Sequence, residues 1–347
     1  MKRALVLAVV AVIAGALSVG VAVATPGTGV VGPILARTTS DAITTSQTAG
    51  LDGAVQEITI APGGHTGWHS HPGGTVILVE SGTFTIYNDS CAATDVAAGR
   101  GIVEPGGQVQ LARNNSTTEP LVLTVVYFDL LVGGGARSDA TAPACAAGAG
   151  LPIVAAGSGV TAAIVSRANF AAAASIAGAA ERDVVVQQVT IAPGGHTGWH
   201  SHPGATVVFV QEGTFTFYAA SDCTAQNYAA GQGVVEAGGG VQLARNEGTV
   251  PLVLYVAYFD VPVGGAFRID EPEPSTCTGL APVPTATPAP TSVPTAVPTA
   301  VLTQPPTDAA VPTEQGTTSL IPLAALLLVA SVAGLLALRF SLARHRT

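Results

Sequence analysis

Short runs of β-branched and aromatic residues, interrupted every few positions by Gly, Pro or Asn, dominate the middle of the chain. Glu57-Ile58-Thr59-Ile60, Val76-Ile77-Leu78-Val79, Thr83-Phe84-Thr85-Ile86-Tyr87 and the run from Leu121 to Phe128 each predict a strand. Such side chains suit a pleated, half-buried surface, and the residues between them suit tight turns. Several short strands joined by Gly-rich turns imply a sandwich or a barrel. The Ala-rich segment around Phe170 to Ala180 and its Thr- and Ser-rich counterpart from Thr38 to Ala49 decide neither helix nor strand.

The two ends carry a different pattern. Lys2 and Arg3 precede an apolar run from Ala4 to Ala24 that closes with Ala22-Val23-Ala24. A basic start, apolar centre and small-x-small end predict a secretory signal over residues 1–24, or an uncleaved anchor, and both export the chain beyond Ala24. Leu320 to Leu338 is 19 residues without a charge, followed by Arg339, Arg344, His345 and Arg346. This predicts a membrane-spanning helix over 319–340 and a cytoplasmic basic tail over 341–347. Residues 281–318, rich in Pro, Thr, Ala and Val, cannot bury a core and read as an extended stalk. The expected location is therefore the cell membrane, single-pass, with the folded part outside the cytoplasm.

That folded part is duplicated. Thr59 to Gly73 and Thr190 to Gly204 share one sequence, TIAPGGHTGWHSHPG, at an offset of 131. Arg37 answers to Arg167, Arg113 to Arg245, Tyr127 to Tyr258 and Cys145 to Cys277 at offsets between 130 and 132. The repeat defines two domains, at 25–150 and 155–280. With 13 basic against 22 acidic residues, no positive surface is available for phosphate backbones, which excludes nucleic acid as a partner. The cysteines sort by copy into Cys91 with Cys145 and Cys223 with Cys277. In an exported chain this argues for one disulfide inside each domain, against the alternative of four free buried thiols.

Six of the seven histidines are His65, His69, His71 and their copies His196, His200 and His202. On an extended strand residues i and i+2 share a face, so His69 and His71 converge on one point. His65 joins them if the chain through Gly67 stays extended. Two imidazoles on one face raise a metal hypothesis. Trp68 and Trp199 have the opposite parity and are expected in the wall of the fold. Arg113 and Arg245 are expected to pair with Asp129 and Asp260, with an anionic ligand as the alternative.

Here the sequence resembles the cupin superfamily, over both repeats. Gly63, His69, His71 and Gly82 fit the spacing of that family's first motif, with Thr75 in the place of its glutamate. Gly99, Pro105, Gly107 and Asn114 fit the second, with Gln110 in the place of its third histidine. The second copy repeats these departures at Thr206 and Gln242, and has Ala237 for the proline. The resemblance implies an all-β fold of two tandem double-stranded β-helix (cupin or jelly-roll) barrels. It also implies a divalent metal, Fe, Mn, Zn, Ni or Cu without distinction, held in such proteins by three His and one Glu.

In this chain the metal candidates are His65, His69, His71 and Gln110, and His196, His200, His202 and Gln242. Thr75, Glu104, Thr206 and Glu236 are secondary ligands. Two functions stay open: a metal-binding bicupin acting on a small polar molecule, or a non-catalytic surface module for a small-molecule ligand, or for structure, whose metal sites have decayed. In the second, the histidines hydrogen-bond one another, Trp68 and backbone groups.

Overall fold

In the computed structural model of the protein the described residues are 24–281. Apart from their end residues Ala24 and Ala281, the predicted signal and stalk lie outside them, as do the spanning helix and tail. The first copy contributes β1 (Thr28–Val31), β2 (Ile34–Ser40), β3 (Ile43–Gln47), β4 (Asp52–His65), β5 (His69–Ser70), β6 (Thr75–Ser81), β7 (Thr83–Asn88), β8 (Ala93–Ala97), β9 (Arg100–Glu104), β10 (Gln110–Arg113), β11 (Leu121–Leu130), β12 (Ser138–Asp139) and a one-turn helix, α1 (Cys145–Gly148). The second contributes β13 (Ser158–Phe170), β14 (Ala174–Gly178), β15 (Arg182–His196), β16 (His200–Ser201), β17 (Thr206–Glu212), β18 (Thr214–Ala219), β19 (Ala225–Ala229), β20 (Gln232–Glu236), β21 (Gln242–Arg245), β22 (Leu252–Val261) and β23 (Ile269–Asp270). All four predicted strands fall inside β4, β6, β7 and β11. The undecided segments become β3 and β14, which pair with each other.

The expectation of two separate closed barrels is corrected by the strand pairing. Twenty-one strands drawn from both copies join one continuous sheet that is not closed into a barrel. The cause is an exchange of N-terminal strands. β2 of the first copy runs antiparallel along β15 of the second, Arg37 opposite Val185, and β13 of the second runs along β4 of the first, Arg167 opposite Ala54. The copies share the β4-type edge in sequence, so each N-terminal strand finds on the neighbour the ladder it would have found at home. The expected spanning helix is likewise not part of the described fold: no helix among the described residues is long and apolar enough to cross a membrane.

The exchange buries a core between the copies. Val55, Val76, Leu78 and Phe128 meet Phe170, Val184, Val186, Phe209 and Phe259 in one cluster. Phe170 sits edge-on to Phe209 with ring centroids 5.5 Å apart. A Cβ at Gly233 would collide with the Phe170 ring, so the absence of a side chain there makes its slot. Each copy keeps a second core of its own. Both disulfides form, Cys91–Cys145 and Cys223–Cys277.

Two matched ion-pair clamps hold the exchanged strands. Arg37 Nε reaches Asp183 Oδ2 at 2.6 Å, while the Thr39 hydroxyl and the Gly264 N–H also donate to that carboxylate. In the mirror arrangement Arg167 reaches Asp52 at 3.1 Å, with Asn169 and the Gly133 N–H as further donors. Burial raises both carboxyl pKa values, but the donated hydrogen bonds and the arginine charges outweigh it and hold each below its ordinary 3.8. A carboxylate with a depressed folded pKa stabilises fully above its unfolded value and loses that contribution as pH falls through the folded one. The denaturant midpoint is therefore expected to drop on acidification below the ordinary carboxylate range. Asp52→Asn with Asp183→Asn starts less stable and loses less, as denaturant titrations at stepped pH would show.

Candidate functional site

His69 lies on β5, held between Gln110 of β10 and Asp139 of β12. Gly67 makes the entry possible: its φ of 74° turns the chain, and a Cβ there would collide with the Ala155 carbonyl. That turn breaks the extended parity, so His65 does not line the cavity that His69 and His71 share. Instead its Nδ1 accepts the Gly67 N–H at 3.1 Å, and it stands opposite Arg113. In the second copy His196 Nδ1 accepts the Gly198 N–H in the same way, and it too lies outside the His200 and His202 cavity.

The two remaining imidazoles of each copy meet at right angles, with ring centroids 4.9 Å apart for His69 and His71 and 4.8 Å for His200 and His202. His69 Nδ1 lies 2.9 Å from the Gly67 carbonyl and His71 Nδ1 2.7 Å from the Ala136 carbonyl. His200 and His202 repeat this with Gly198 and Phe267. A carbonyl only accepts, so each Nδ1 carries a hydrogen. Burial is the largest cause of the depressed pKa values, which fall to about 3 for His69, to about 4 for His202 and well below 6.5 for His200. His69, His200 and His202 are therefore neutral at neutral pH.

A carboxyl completes each cluster. The pairing of β6 with β9 sets Glu104 opposite Thr75, and its Oε2 lies 3.4 Å from His71 Nε2, while the Gln110 amide donates to the same oxygen. In the second copy Glu236 lies 3.5 Å from His202 and accepts from Gln242 at 2.5 Å. Burial pushes the Glu236 carboxyl up to about 8 against the lowering effect of Gln242. Thr75 and Thr206 are fully buried, and their hydroxyls have no hydrogen-bond partner.

Tyr127 and Tyr258 stack obliquely on His71 and His202, and their hydroxyls donate to Gln56 and Gln187. Burial first, and then the nearby glutamate, raises both phenol pKa values. Sequence reasoning identifies these tyrosines as repeat markers without placing them in the site. The available signal is strand parity, which sets Leu123, Val125 and Tyr127 on one face of β11, where all three line the cavity.

Trp68 packs away from the cavity with Leu111, Ala146 and Leu151. The expected arginine pairs do not form: Asp260 is taken by Arg182 at 3.2 Å, Asp129 accepts the Thr48 N–H, and Arg245 reaches Glu247 at 3.7 Å.

The donor set does not fit a cage of three imidazoles and a carboxylate. Each cluster offers two imidazoles, its glutamate oxygen is occupied by an amide N–H, and its glutamine turns the amide nitrogen toward that oxygen. Among the described residues no group of three or more His, Cys, Asp or Glu side chains is arranged to hold an ion.

Fold and site together define a class: over the described residues, a mostly β fold with a pair of buried histidines in each copy. A family model described as "Cupin domain" matches residues 56–127 and again 187–258, so the chain carries the cupin domain twice and is a tandem bicupin. Among solved structures it is similar to oxalate decarboxylase from Bacillus subtilis at pH 4.6, with 16% identity over 71% of this chain and 79% of that one and a TM-score of 0.34. A second structure of the Bacillus subtilis enzyme, from work on its Mn(II) centres, is similar at 16% identity over 71% and 80%, with a TM-score of 0.34. No curated protein matches the sequence.

Proposed function

We propose that this bicupin is a non-catalytic binding and scaffold module of the cell surface whose histidine clusters work without a metal ion. One observation carries the reading: in each copy the glutamate that would have to serve as a charged ligand instead accepts a glutamine N–H and sits against an imidazole whose Nδ1 is engaged by a backbone carbonyl. A buried carboxyl and amide that satisfy each other in this way are a stable alternative to ion binding. Export and tethering rest on the sequence of residues 1–24 and 319–340. The stalk at 281–318 would hold the two domains clear of the bilayer.

Thermal unfolding of the full chain with and without Mn²⁺ or Zn²⁺ tests this. An ion held at a thousandfold excess over its Kd adds about 4 kcal/mol to stability. The expected result is an unchanged Tm. A rise in Tm that disappears in a His69→Ala, His71→Ala, His200→Ala, His202→Ala variant would overturn the proposal.

A further inference from the structure

Thr25, the residue after the small-x-small end Ala22-Val23-Ala24, is built into the second copy and is 6% exposed. No linker separates the apolar run from the fold. The Thr25 N–H donates to the Glu271 carbonyl at 3.2 Å, and its hydroxyl accepts the Trp199 N–H at 2.8 Å. A Cβ on Gly198 would collide with the Thr25 carbonyl, so that carbonyl lies flat against the turn that leads to His200. Ala24 stands opposite Pro272 in a single bridge. Trp199 packs with Leu243, Cys277 and Ala281, so the predicted stalk, which starts at Ala281, leaves the fold from the same patch.

The first copy shows what fills this place when the chain continues upstream. Ser158 stands opposite His65 as Thr28 stands opposite His196, so the segment before β13 answers to the segment before β1 at an offset of 130. There the Val154 carbonyl accepts the Trp68 N–H at 3.3 Å and the Pro152 carbonyl accepts the indole N–H at 2.7 Å. A Cβ on Gly67 would meet the Ala155 carbonyl, as one on Gly198 would meet that of Thr25. By the same offset Val154 and Pro152 answer to Ala24 and Ala22, both on the upstream side of the predicted cut. The second copy uses neither carbonyl for its tryptophan. Trp199 gives its N–H to Oγ1 of Thr25 instead, and its buried indole N–H has no partner among the described residues. A buried N–H left unpaired is costly, and here the missing acceptor answers to a residue that processing would remove.

We infer that the exported chain is cut between Ala24 and Thr25 before the second copy closes, and that Thr25 then serves as the N-terminal residue that covers Trp199. This rests on the export and tethering in the reading above. Water adds across the Ala24–Thr25 peptide bond, leaving a carboxylate on Ala24 and an ammonium on Thr25. That ammonium keeps the Glu271 carbonyl as its acceptor, now with a charged donor. A protease takes hold of extended, unpaired backbone, and the fold leaves Thr25 buried and hydrogen-bonded, so the cut comes first. An uncut chain would hold the second copy against the bilayer by residues 4–24 with no linker, and the stalk could not extend. Cutting lets the stalk carry the bicupin clear.

The test uses the full chain with a C-terminal tag, made in a bacterial host, isolated from its membranes and weighed by intact mass spectrometry. The expected first residue is Thr25. Chains accumulated under a reversible signal peptidase inhibitor and left to fold are expected, once the block is lifted, to be cut about tenfold slower than chains made afterwards. Hydrogen exchange at the Trp199 backbone amide is expected to rise about tenfold in Thr25→Val and to return in Thr25→Ser, with Trp68 unmoved. An exported chain that keeps residues 1–24 or starts elsewhere, equal cutting of folded and new chains, or an unchanged Trp199 amide would overturn the inference alone. A chain with Met1 in place and shielded from protease added to spheroplasts would overturn the export reading, and the inference with it.

Discussion

Residues 25–150 produced alone are expected not to persist as a folded monomer, and the same holds for residues 155–281. Separation strips β13 from β4 along the whole register from Ser158 to Asn169, leaving a long unpaired edge. It also uncovers Val55, Val76, Leu78 and Phe128, whose partners lie in the other copy. At about 1.5–3 kcal/mol for each large apolar side chain, these four alone represent roughly 6–12 kcal/mol, the order of a whole domain's stability. Each half is expected to unfold or to form a homodimer in which two copies exchange their own N-terminal strands. Mixing the halves is expected to give a 1:1 complex. Light scattering after size exclusion, with denaturant titration, decides it, and a monomer unfolding cooperatively at the stability of the full chain would be the contrary result.

Phe170→Ala is expected to cost about 4 kcal/mol, the range for truncating a fully buried aromatic that leaves a cavity behind. Phe170 is 1% exposed, packs on Phe209 and ends the exchanged strand, so nothing nearby collapses easily into its place. Ile164 on the same strand is 43% exposed, and Ile164→Ala should cost well under half as much. Chemical denaturation of both variants gives the comparison, and equal costs would mean that the core between the copies contributes little.

Much of this fold could be read from the sequence because local pattern sets local structure. The β-branched runs became strands, the duplicated fifteen residues became matched sites, and the equally spaced cysteines became one disulfide per copy. What could not be read was the choice of partner. A strand's alternation says which face is buried but not against which copy, and a repeat makes the two answers equivalent in sequence. Residues 34–40 and 158–170 therefore crossed over unannounced, and the expected pair of closed barrels became one shared sheet. Pro33 interrupts the first of these strands, splitting β1 from β2, while its counterpart β13 runs through.

The site divides in the same way. The i, i+2 spacing of His69 and His71 placed them together, as parity requires. His65 was conditional on an extended Gly67, and the left-handed turn there sends it elsewhere. Glu104, a secondary candidate in the sequence, lies 33 residues from His71, and it is the register of β6 with β9 that brings the two together. Asp52 and Asp183, which clamp the exchange, had no signal apart from their common offset.

Metal content of the full chain, purified without chelator and measured by inductively coupled plasma mass spectrometry, bears most directly on how the clusters work. The expected result is far less than one ion per chain, unchanged by His69→Ala with His71→Ala or by His200→Ala with His202→Ala. Two ions per chain, one lost with each pair of substitutions, would contradict it.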